Sequence, residues 1–213
     1  MKSASYTPEN LARFMAAGLL DGLKHAPYVS LAVSGGRTPE AVFPLLAQAD
    51  LAWERVWITL TDERWLPPDH EGSNEGLARR LLLQGKAGRA RFVGFWSEAS
   101  SPESALPGLE YRLSQMPWPL DMVFLGMGTD GHVASLFPND GALEVETGRV
   151  TTARGPAPYT ERASLVLPEL VRAKRVALLA NGLEKQTVLQ RGSKALPVHR
   201  FLALSNESVT VFG

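Results

Sequence analysis

A short polar cluster interrupts an otherwise apolar stretch between Leu120 and Pro138, and its members are Thr129, Asp130 and His132. The residues before it form an apolar run with β-branched and aromatic members, which is typical of a buried strand. Open α/β sheets bind their ligands at the carboxyl ends of their strands. A histidine placed there can exchange a proton near neutral pH and can act as a general base. We predict that the active centre lies at this junction.

Two interpretations of Asp130 are open, because it lies two residues before His132. Its carboxylate can orient the imidazole and adjust its basicity, or it can cap a helix that would follow. A structural role for His132 is the alternative to catalysis. The other histidines have no comparable setting, and we predict that they are surface groups: His25, His70 and His199.

A second junction that could support chemistry is the turn Ser34-Gly35-Gly36, which follows a predicted strand at Tyr28–Val33. The pair Thr38-Pro39 then predicts the start of a helix. A strand, a glycine turn and a helix N-terminus together can bind an anion through backbone N–H groups and the helix dipole. A tight turn without a ligand fits the same residues. The glycines match neither the dinucleotide-binding nor the Walker pattern.

A third polar junction, Thr61-Asp62-Glu63-Arg64-Trp65, follows the predicted strand Trp53–Leu60. Three charged side chains lie there between an apolar strand and a tryptophan, which favours a functional junction over chance filler. An ion-paired surface loop is the alternative interpretation. The next helix is predicted to begin at Ser73-Asn74-Glu75.

The elements that must position these junctions alternate between strands and helices, which is typical of βαβ units. The alternation predicts an α/β fold with a mostly parallel, Rossmann-like open sheet that carries helices on both faces, in a single domain over residues 1–213. Further predicted strands are Arg91–Phe95, Leu120–Leu125, Val150–Thr152, Glu161–Pro168, Arg175–Ala180 and Val209–Phe212. Further predicted helices begin after Thr7 and span Pro102–Met116 and Pro197–Leu204.

Composition excludes several classes of protein. The chain has 22 Lys plus Arg and 22 Asp plus Glu, so its overall charge attracts neither nucleic acid nor a membrane surface. The absence of cysteine excludes disulfides, thiolate metal sites and cysteine nucleophiles. The amino terminus has no basic segment followed by an apolar region, and no apolar run is long enough to span a membrane. We therefore expect a cytoplasmic protein.

Four junctions occur together in an order and spacing that resemble one family: Ser34–Pro39, Thr61–Trp65, Gly126–Pro138 and Asn181–Lys185. They make the chain similar to the short, bacterial 6-phosphogluconolactonases, within the wider glucosamine-6-phosphate isomerase/6-phosphogluconolactonase superfamily. The likeness covers nearly the whole chain. Its most specific part is the segment Asp130–Pro138, with the sequence DGHVASLFP.

The resemblance implies hydrolysis of 6-phospho-D-glucono-1,5-lactone to 6-phosphogluconate, in the oxidative pentose phosphate pathway and without a cofactor. It makes His132 the general base that activates water, with Asp130 as its partner. Arg64 would contact the phosphate or stabilise the oxyanion, and both options stay open. Asp62 matches the position of a proton-transfer acid/base in the deaminase branch, and its role in a lactonase stays open. The resemblance assigns the substrate phosphate to Ser34, Gly35, Gly36, Arg162 and Lys185.

Departures from the superfamily pattern help to separate its branches. The deaminase and isomerase members resemble DGHIAFNEP at the central motif, where a glutamate completes a relay with the histidine. Phe137 stands at that position here, which favours the lactonase. Tyr159-Thr160-Glu161 replaces a more proline-rich run that the family has before Arg162. Both Arg162 and Lys185 also have a plain alternative interpretation as solvated side chains.

Three functional classes fit the residues: the lactonase, a sugar-phosphate isomerase or deaminase, and a non-catalytic sugar-phosphate-binding sensor domain. Asp130, His132 and Glu63 could be imagined as a metal site, but we predict none, because an Asp-x-His pair on one loop lacks the third ligand that catalytic zinc normally takes. The expected partner is a small-molecule sugar phosphate lactone, with neither nucleic acid nor a membrane. We expect a monomer or a weak homo-oligomer.

Overall fold

A seven-stranded parallel sheet lies at the centre of the structure, a computed structural model that describes residues 2–205 and 208–213. The strands are numbered along the chain as β1 (Lys2–Ala4), β2 (Val29–Val33), β3 (Val56–Leu60), β4 (Asp62–Arg64), β5 (Arg91–Val93), β6 (Met122–Gly126), β7 (Val150–Arg154), β8 (Glu161–Leu165), β9 (Val176–Leu179) and β10 (Val209–Phe212). The main sheet has the order β1-β10-β9-β6-β2-β3-β5, and every pair in it is parallel.

Helices connect most of these strands. They are α1 (Pro8–His25), α2 (Arg37–Ala47), α3 (Asn74–Leu81), α4 (Pro102–Ser114), α5 (Leu167–Val171), α6 (Leu183–Arg191) and α7 (Pro197–Leu204). The side chain of Thr7 caps α1 by accepting the N–H of Asn10 at 3.1 Å. On one face of the sheet, Phe43 of α2 packs against Phe124 of β6 with ring centroids 6.4 Å apart.

Both faces of the main sheet are covered at its centre, because β2 is buried at every position along its length. Alternating side chains of a strand point to opposite faces, so complete burial means that neither face meets solvent. The predicted α/β class with a mostly parallel sheet is confirmed. No helix among residues 2–205 and 208–213 is long and apolar enough to cross a bilayer.

A second sheet, three-stranded and antiparallel with the order β4-β8-β7, is not anticipated by the sequence pattern. Its first strand, β4, lies within the polar junction Thr61–Trp65, where no strand was predicted. Thr61 joins the two sheets, because its N–H donates to Val33 of β2 at 2.9 Å and its carbonyl accepts the N–H of Leu165 at 2.8 Å. Backbone pairing on both sides therefore holds the polar residues that follow β3.

Several element boundaries differ from the predicted ones. Trp53–Arg55 is a turn of 3-10 helix, so β3 begins only at Val56. The residues between 127 and 140 contain no helix, and Val133 instead makes isolated bridges with Met127 and Leu136. The interpretation of Asp130 as a helix cap is therefore wrong, because no helix begins after it.

Candidate active site

A cavity of about 360 Å³ opens where β2, β3 and β6 end, at the carboxyl edge of the main sheet. Nine site residues were predicted from the sequence, and one of them, Asp130, lies outside the cavity lining and contacts His132. The other eight line the cavity: Ser34, Gly35, Gly36, Asp62, Arg64, His132, Arg162 and Lys185. The fold thus brings together side chains that are far apart in the chain.

His132 and Asp130 form a hydrogen-bonded pair at the edge of this cavity. The imidazole Nδ1 lies 2.6 Å from Oδ1 of Asp130, and the same oxygen accepts the backbone N–H of His132 at 3.1 Å. Because an ionised carboxylate only accepts, Nδ1 carries the proton in a neutral ring and Nε2 keeps a free lone pair. The ring of Phe137 packs on the imidazole at a centroid distance of 4.6 Å. Gly128 leaves the space that the pair occupies, since a Cβ there would overlap the imidazole.

The turn Ser34-Gly35-Gly36, termed the anion turn, lies at the N-terminus of α2. Gly36 has φ +106°, which favours glycine, and no side chain caps the helix. No hydrogen bond within the described residues occupies the backbone N–H of Gly35 or of Gly36. Ser34 differs, because its N–H donates to the carbonyl of Phe124 at 3.1 Å. The two glycines and the first turn of α2 therefore present free N–H groups and the positive end of a helix dipole.

A second uncapped helix N-terminus brings Lys185 to the same cavity. Gly182, with φ +99°, precedes α6, and no side chain caps that helix either. Lys185 lies in its first turn and lines the cavity. Burial lowers the pKa of the Lys185 ammonium, because the charged form loses solvation. The negative charge of an anion in the cavity would compensate for that lost solvation.

Arg64 and Arg162 supply two further positive charges from the small sheet. Nη1 of Arg64 donates to the carbonyl of Gly72 at 2.5 Å, and Nε of Arg162 donates to the carbonyl of Tyr159 at 2.7 Å. Burial lowers the pKa of the Arg162 guanidinium, Asp62 raises it, and the nearby Arg64 lowers it further. Arg162 is buried, so the interpretation of it as a solvated side chain is wrong.

Asp62 is buried beside the cavity and is held by two hydroxyl groups. Thr61 Oγ1 donates to its Oδ1 at 3.0 Å, and Ser135 Oγ donates to its Oδ2 at 2.6 Å. Glu63, the next residue, is fully buried as well. The alternative of an ion-paired surface loop at this junction is therefore wrong.

The carboxylate of Glu63 organises the start of α3. It accepts backbone N–H groups from Arg64 at 2.7 Å, from Asn74 at 2.8 Å and from Glu75 at 2.6 Å, together with the hydroxyl of Ser73 at 3.0 Å. Burial raises the pKa of Glu63 to about 7, against the opposing effect of these donors. Two residues that line the cavity, Arg64 and Asn74, are thus fixed by one buried carboxyl group.

Asn74 is a polar lining residue that the sequence interpretation missed. Its side-chain amide donates to the carbonyl of Asp62 at 2.9 Å, and its Oδ1 packs where a Cβ of residue 35 would lie. The pattern Ser73-Asn74-Glu75 gave a signal only for a helix start, which is confirmed by the cap that Ser73 makes to Gly76. Gly35 is therefore needed for contact with Asn74 as well as for the turn.

The remaining histidines differ from the expectation that all three are surface groups. His25 is exposed, as predicted. His70 is half-buried, accepts the N–H of Gly72 at 2.9 Å and packs on Tyr159. His199 is half-buried near the carbonyl of Val188 at 3.0 Å. Among the described residues, no group of three or more His, Cys, Asp or Glu side chains is arranged to hold a metal ion.

Comparison with known proteins gives a consistent result over the whole length of the chain. Residues 2–210 match the family model described as glucosamine-6-phosphate isomerases/6-phosphogluconolactonase. The chain is 39% identical over 209 residues to a protein of Pseudomonas aeruginosa named 6-phosphogluconolactonase, and the match covers 96% of this chain and 84% of that one.

Solved structures show the same likeness. A 6-phosphogluconolactonase from Shewanella baltica superposes with a TM-score of 0.89 at 31% identity, covering 99% of this chain and 95% of that one. A 6-phosphogluconolactonase from Thermotoga maritima superposes with a TM-score of 0.81 at 26% identity, covering 99% and 98% of the two chains. The chain belongs to the glucosamine-6-phosphate isomerase/6-phosphogluconolactonase family.

Proposed function

We propose that this chain hydrolyses 6-phospho-D-glucono-1,5-lactone to 6-phospho-D-gluconate, in the oxidative pentose phosphate pathway. The observation that carries the proposal is one cavity with two chemically different sides. One side has an imidazole with a free Nε2 and an Nδ1 held by Asp130, and the other has Lys185, Arg162 and the anion turn. Lactone hydrolysis needs an activated water at the carbonyl and a grip on the phosphate.

In the proposed reaction His132 acts twice on the proton of the attacking water. Its Nε2 removes the proton as the water oxygen bonds to the lactone carbonyl carbon, and the imidazolium that forms is stabilised by Asp130. The tetrahedral intermediate then expels the ring oxygen, which takes the proton back from Nε2. The carboxylic acid product loses its own proton to solvent at neutral pH.

The phosphate in this proposal lies between the two helix N-termini and the cations Arg162 and Lys185. The free N–H groups of Gly35 and Gly36 and the charges of Arg162 and Lys185 are its donors. Ser34 lines the cavity too, but its N–H is already engaged by Phe124, so we give it no donor role to the ligand. The substrate dianion would offset the desolvation of the two side chains.

Arg64 has two possible roles in this proposal, and one measurement separates them. It lines the cavity with one N–H anchored on Gly72, so its remaining N–H groups can reach either the phosphate or the oxyanion. A phosphate contact predicts that Arg64→Met affects only the phosphorylated lactone. An oxyanion contact predicts a lower kcat with glucono-1,5-lactone as well.

Phe137 supports the lactonase over the isomerase or deaminase branch. Its ring packs on the imidazole of His132 at 4.6 Å, in the place where the sister branch has a carboxylate. A relay for sugar ring opening needs that carboxylate, and lactone hydrolysis does not. The relatives from Pseudomonas aeruginosa and Shewanella baltica carry the name 6-phosphogluconolactonase, which supports the same choice.

A coupled assay tests the proposal directly. Freshly generated 6-phosphogluconolactone is supplied with excess 6-phosphogluconate dehydrogenase, and the spontaneous hydrolysis is subtracted. We expect hydrolysis well above that background and no ammonia from glucosamine 6-phosphate. Ammonia release without lactone hydrolysis would favour the deaminase, and thermal stabilisation by 6-phosphogluconate without any turnover would favour a sensor domain.

The proposal includes the setting of the enzyme. We infer one functional unit over residues 1–213, a cytoplasmic location, a small-molecule sugar phosphate lactone as the partner, and a monomer or weak homo-oligomer in solution. One cavity gathers residues from Ser34 to Lys185, which supports the first of these inferences. Size-exclusion chromatography with light scattering tests the oligomeric state.

A further inference from the structure

Asp62 lies between the anion turn and the segment that carries His132, and its carboxylate makes hydrogen bonds on both sides. Its side chain is almost inaccessible, with 7% of the residue exposed. Its Oδ1 accepts the hydroxyl of Thr61 and its Oδ2 accepts the hydroxyl of Ser135, at 3.0 and 2.6 Å. Each carboxylate oxygen therefore already has a donor from the protein.

The Oδ1 branch leads to the anion turn. A hydroxyl has one proton, and that of Thr61 is donated to Asp62, so Ser34 must be the donor in the 2.7 Å contact between the hydroxyls of Ser34 and Thr61. The hydroxyl of Ser34 in turn accepts the backbone N–H of Gly126 at 3.3 Å. This chain of bonds fixes the first residue of the anion turn against the ends of β3 and β6.

The Oδ2 branch leads to the segment that carries His132. We term residues 127–136 the His132 loop, and Ser135 lies near its end. Ala134, just before Ser135, has φ +50°, a left-handed conformation that a residue with a Cβ adopts only when its surroundings hold it. The hydroxyl of Ser135 bonds to Asp62, and its N–H donates to Ser164 at 3.2 Å. These two bonds anchor the loop next to its strained residue.

We propose that Asp62 is a positioning residue whose Oδ1 sets the anion turn and whose Oδ2 sets the His132 loop, and that it exchanges no proton with the substrate. The identity of the substrate rests on the proposed function, but the positioning role does not. The affinity for inorganic phosphate reports on the anion turn, and the NMR signal of the His132 imidazole reports on the His132 loop. Neither measurement needs turnover.

Three variants separate the two branches. Thr61→Val removes only the Oδ1 branch, Ser135→Ala removes only the Oδ2 branch, and Asp62→Asn weakens both. The chain provides a matched control for each hydroxyl deletion. Thr59→Val removes a buried hydroxyl that bonds the carbonyl of Val93 at 2.8 Å; Thr59 is on β3, two residues before Thr61.

The second control is Ser30→Ala. Ser30 is buried and its hydroxyl bonds the carboxylate of Asp121 at 3.3 Å, which reproduces the Ser135–Asp62 pair away from the cavity. We expect both control variants to keep the wild-type KM, kcat and affinity for phosphate. Circular dichroism and unfolding temperature verify that each variant is folded.

The expected result is a split between the kinetic constants. Thr61→Val raises KM and the Kd for inorganic phosphate about tenfold and leaves kcat within about twofold. Ser135→Ala lowers kcat about tenfold, leaves both affinities unchanged and moves the NMR signal of the His132 ring. Asp62→Asn shows both effects and keeps the acidic limb of the pH profile, because His132 still supplies the base.

Several results would overturn the positioning role. One is an Asp62→Asn enzyme that loses turnover and the acidic limb while Thr61→Val and Ser135→Ala behave as wild type, since Asp62 would then act on the substrate itself. Equal effects of the two deletions on KM and kcat would also contradict it. If the wild type fails to hydrolyse the lactone, the proposed function fails, and phosphate affinity with the His132 NMR signal still decides the role of Asp62. If Asp62→Asn does not fold, the two deletions decide it alone.

Discussion

Arg64 and Arg162 face each other directly across β4 and β8, in register on the antiparallel ladder. Like charges in that position destabilise a sheet. Each guanidinium is anchored by one bond to a backbone carbonyl, of Gly72 and Tyr159 respectively, which holds the two charges together beside the cavity. An anionic ligand near both side chains would offset this repulsion, so we interpret the pair as part of an anion site.

Removal of the Arg162 charge is the first test of that interpretation. Arg162→Met should raise KM for the phosphorylated lactone about tenfold to hundredfold, because a hydrogen bond to a charged group contributes roughly 1.5–3 kcal/mol. Steady-state kinetics with the phosphorylated lactone and with glucono-1,5-lactone measure the effect. The matched control is Arg154→Met, at the exposed end of β7 in the same sheet. An unchanged KM, or an equal loss with the unphosphorylated lactone, would remove Arg162 from the phosphate site.

Replacement of the proposed base is the second test. His132→Ala should fold normally and lower kcat by about 10²- to 10⁴-fold, which is the usual contribution of general-base catalysis. Asp130→Asn should lower kcat with little change in KM, because Asp130 orients the ring and does not line the cavity. The exposed His25→Ala is the control, and rates near those of the wild type in His132→Ala would contradict the role of this histidine.

Much of the main sheet and of the site could be predicted from sequence because the signals are local. Buried parallel strands are short apolar runs, and β2, β6 and β9 each have one that ends in glycine or polar residues. Since such strands present their carboxyl ends at one edge, the residues after them were expected to meet, and eight of the nine line one cavity.

The parts that could not be predicted depend on pairing between distant segments. β4 is a three-residue strand of charged residues, and only its register with β8 makes it a strand. The hydrogen bond between Ser135 and Asp62 joins residues that are 73 apart in the chain, so no local sequence pattern predicts it. Asn74 is similar, because its helix-start signal was visible while its packing against Gly35 was not.

The third prediction concerns the space that Gly128 leaves for the pair of His132 and Asp130. A Cβ at this position would overlap the imidazole of His132, so Gly128→Ala should displace the pair of His132 and Asp130. We expect a kcat at least about tenfold lower with little change in the affinity for inorganic phosphate, because the anion turn is untouched. Gly141→Ala is the matched control, since a Cβ there meets no atom within 4 Å. Wild-type kcat in Gly128→Ala would show that the pair tolerates displacement.

The buried carboxyl of Glu63 gives the fourth prediction, on stability against pH. Burial raises its pKa in the folded protein from 4.5 to about 7, so between these values the folded chain holds a proton that the unfolded chain has released. Unfolding in this window releases a proton, and the free energy of unfolding must therefore fall as the pH rises from about 4.5 to about 7. The full change is on the order of 3 kcal/mol.

Glu63→Gln should remove this pH dependence, because the amide does not titrate. It should also be less stable than the wild type at pH 7, because the NH₂ group replaces one carboxylate oxygen and faces the donors to that oxygen. These are the N–H groups of Arg64 and Asn74 at Oε1, or the N–H of Glu75 and the hydroxyl of Ser73 at Oε2. Urea unfolding at a series of pH values measures both effects, with the exposed Glu103→Gln as a control for the loss of a carboxylate. The free energies of unfolding of Glu63→Gln and Glu103→Gln are then compared between pH 4.5 and pH 7. A constant difference would mean that the four hydrogen bonds to Glu63 outweigh its burial and that the group stays ionised in the folded protein.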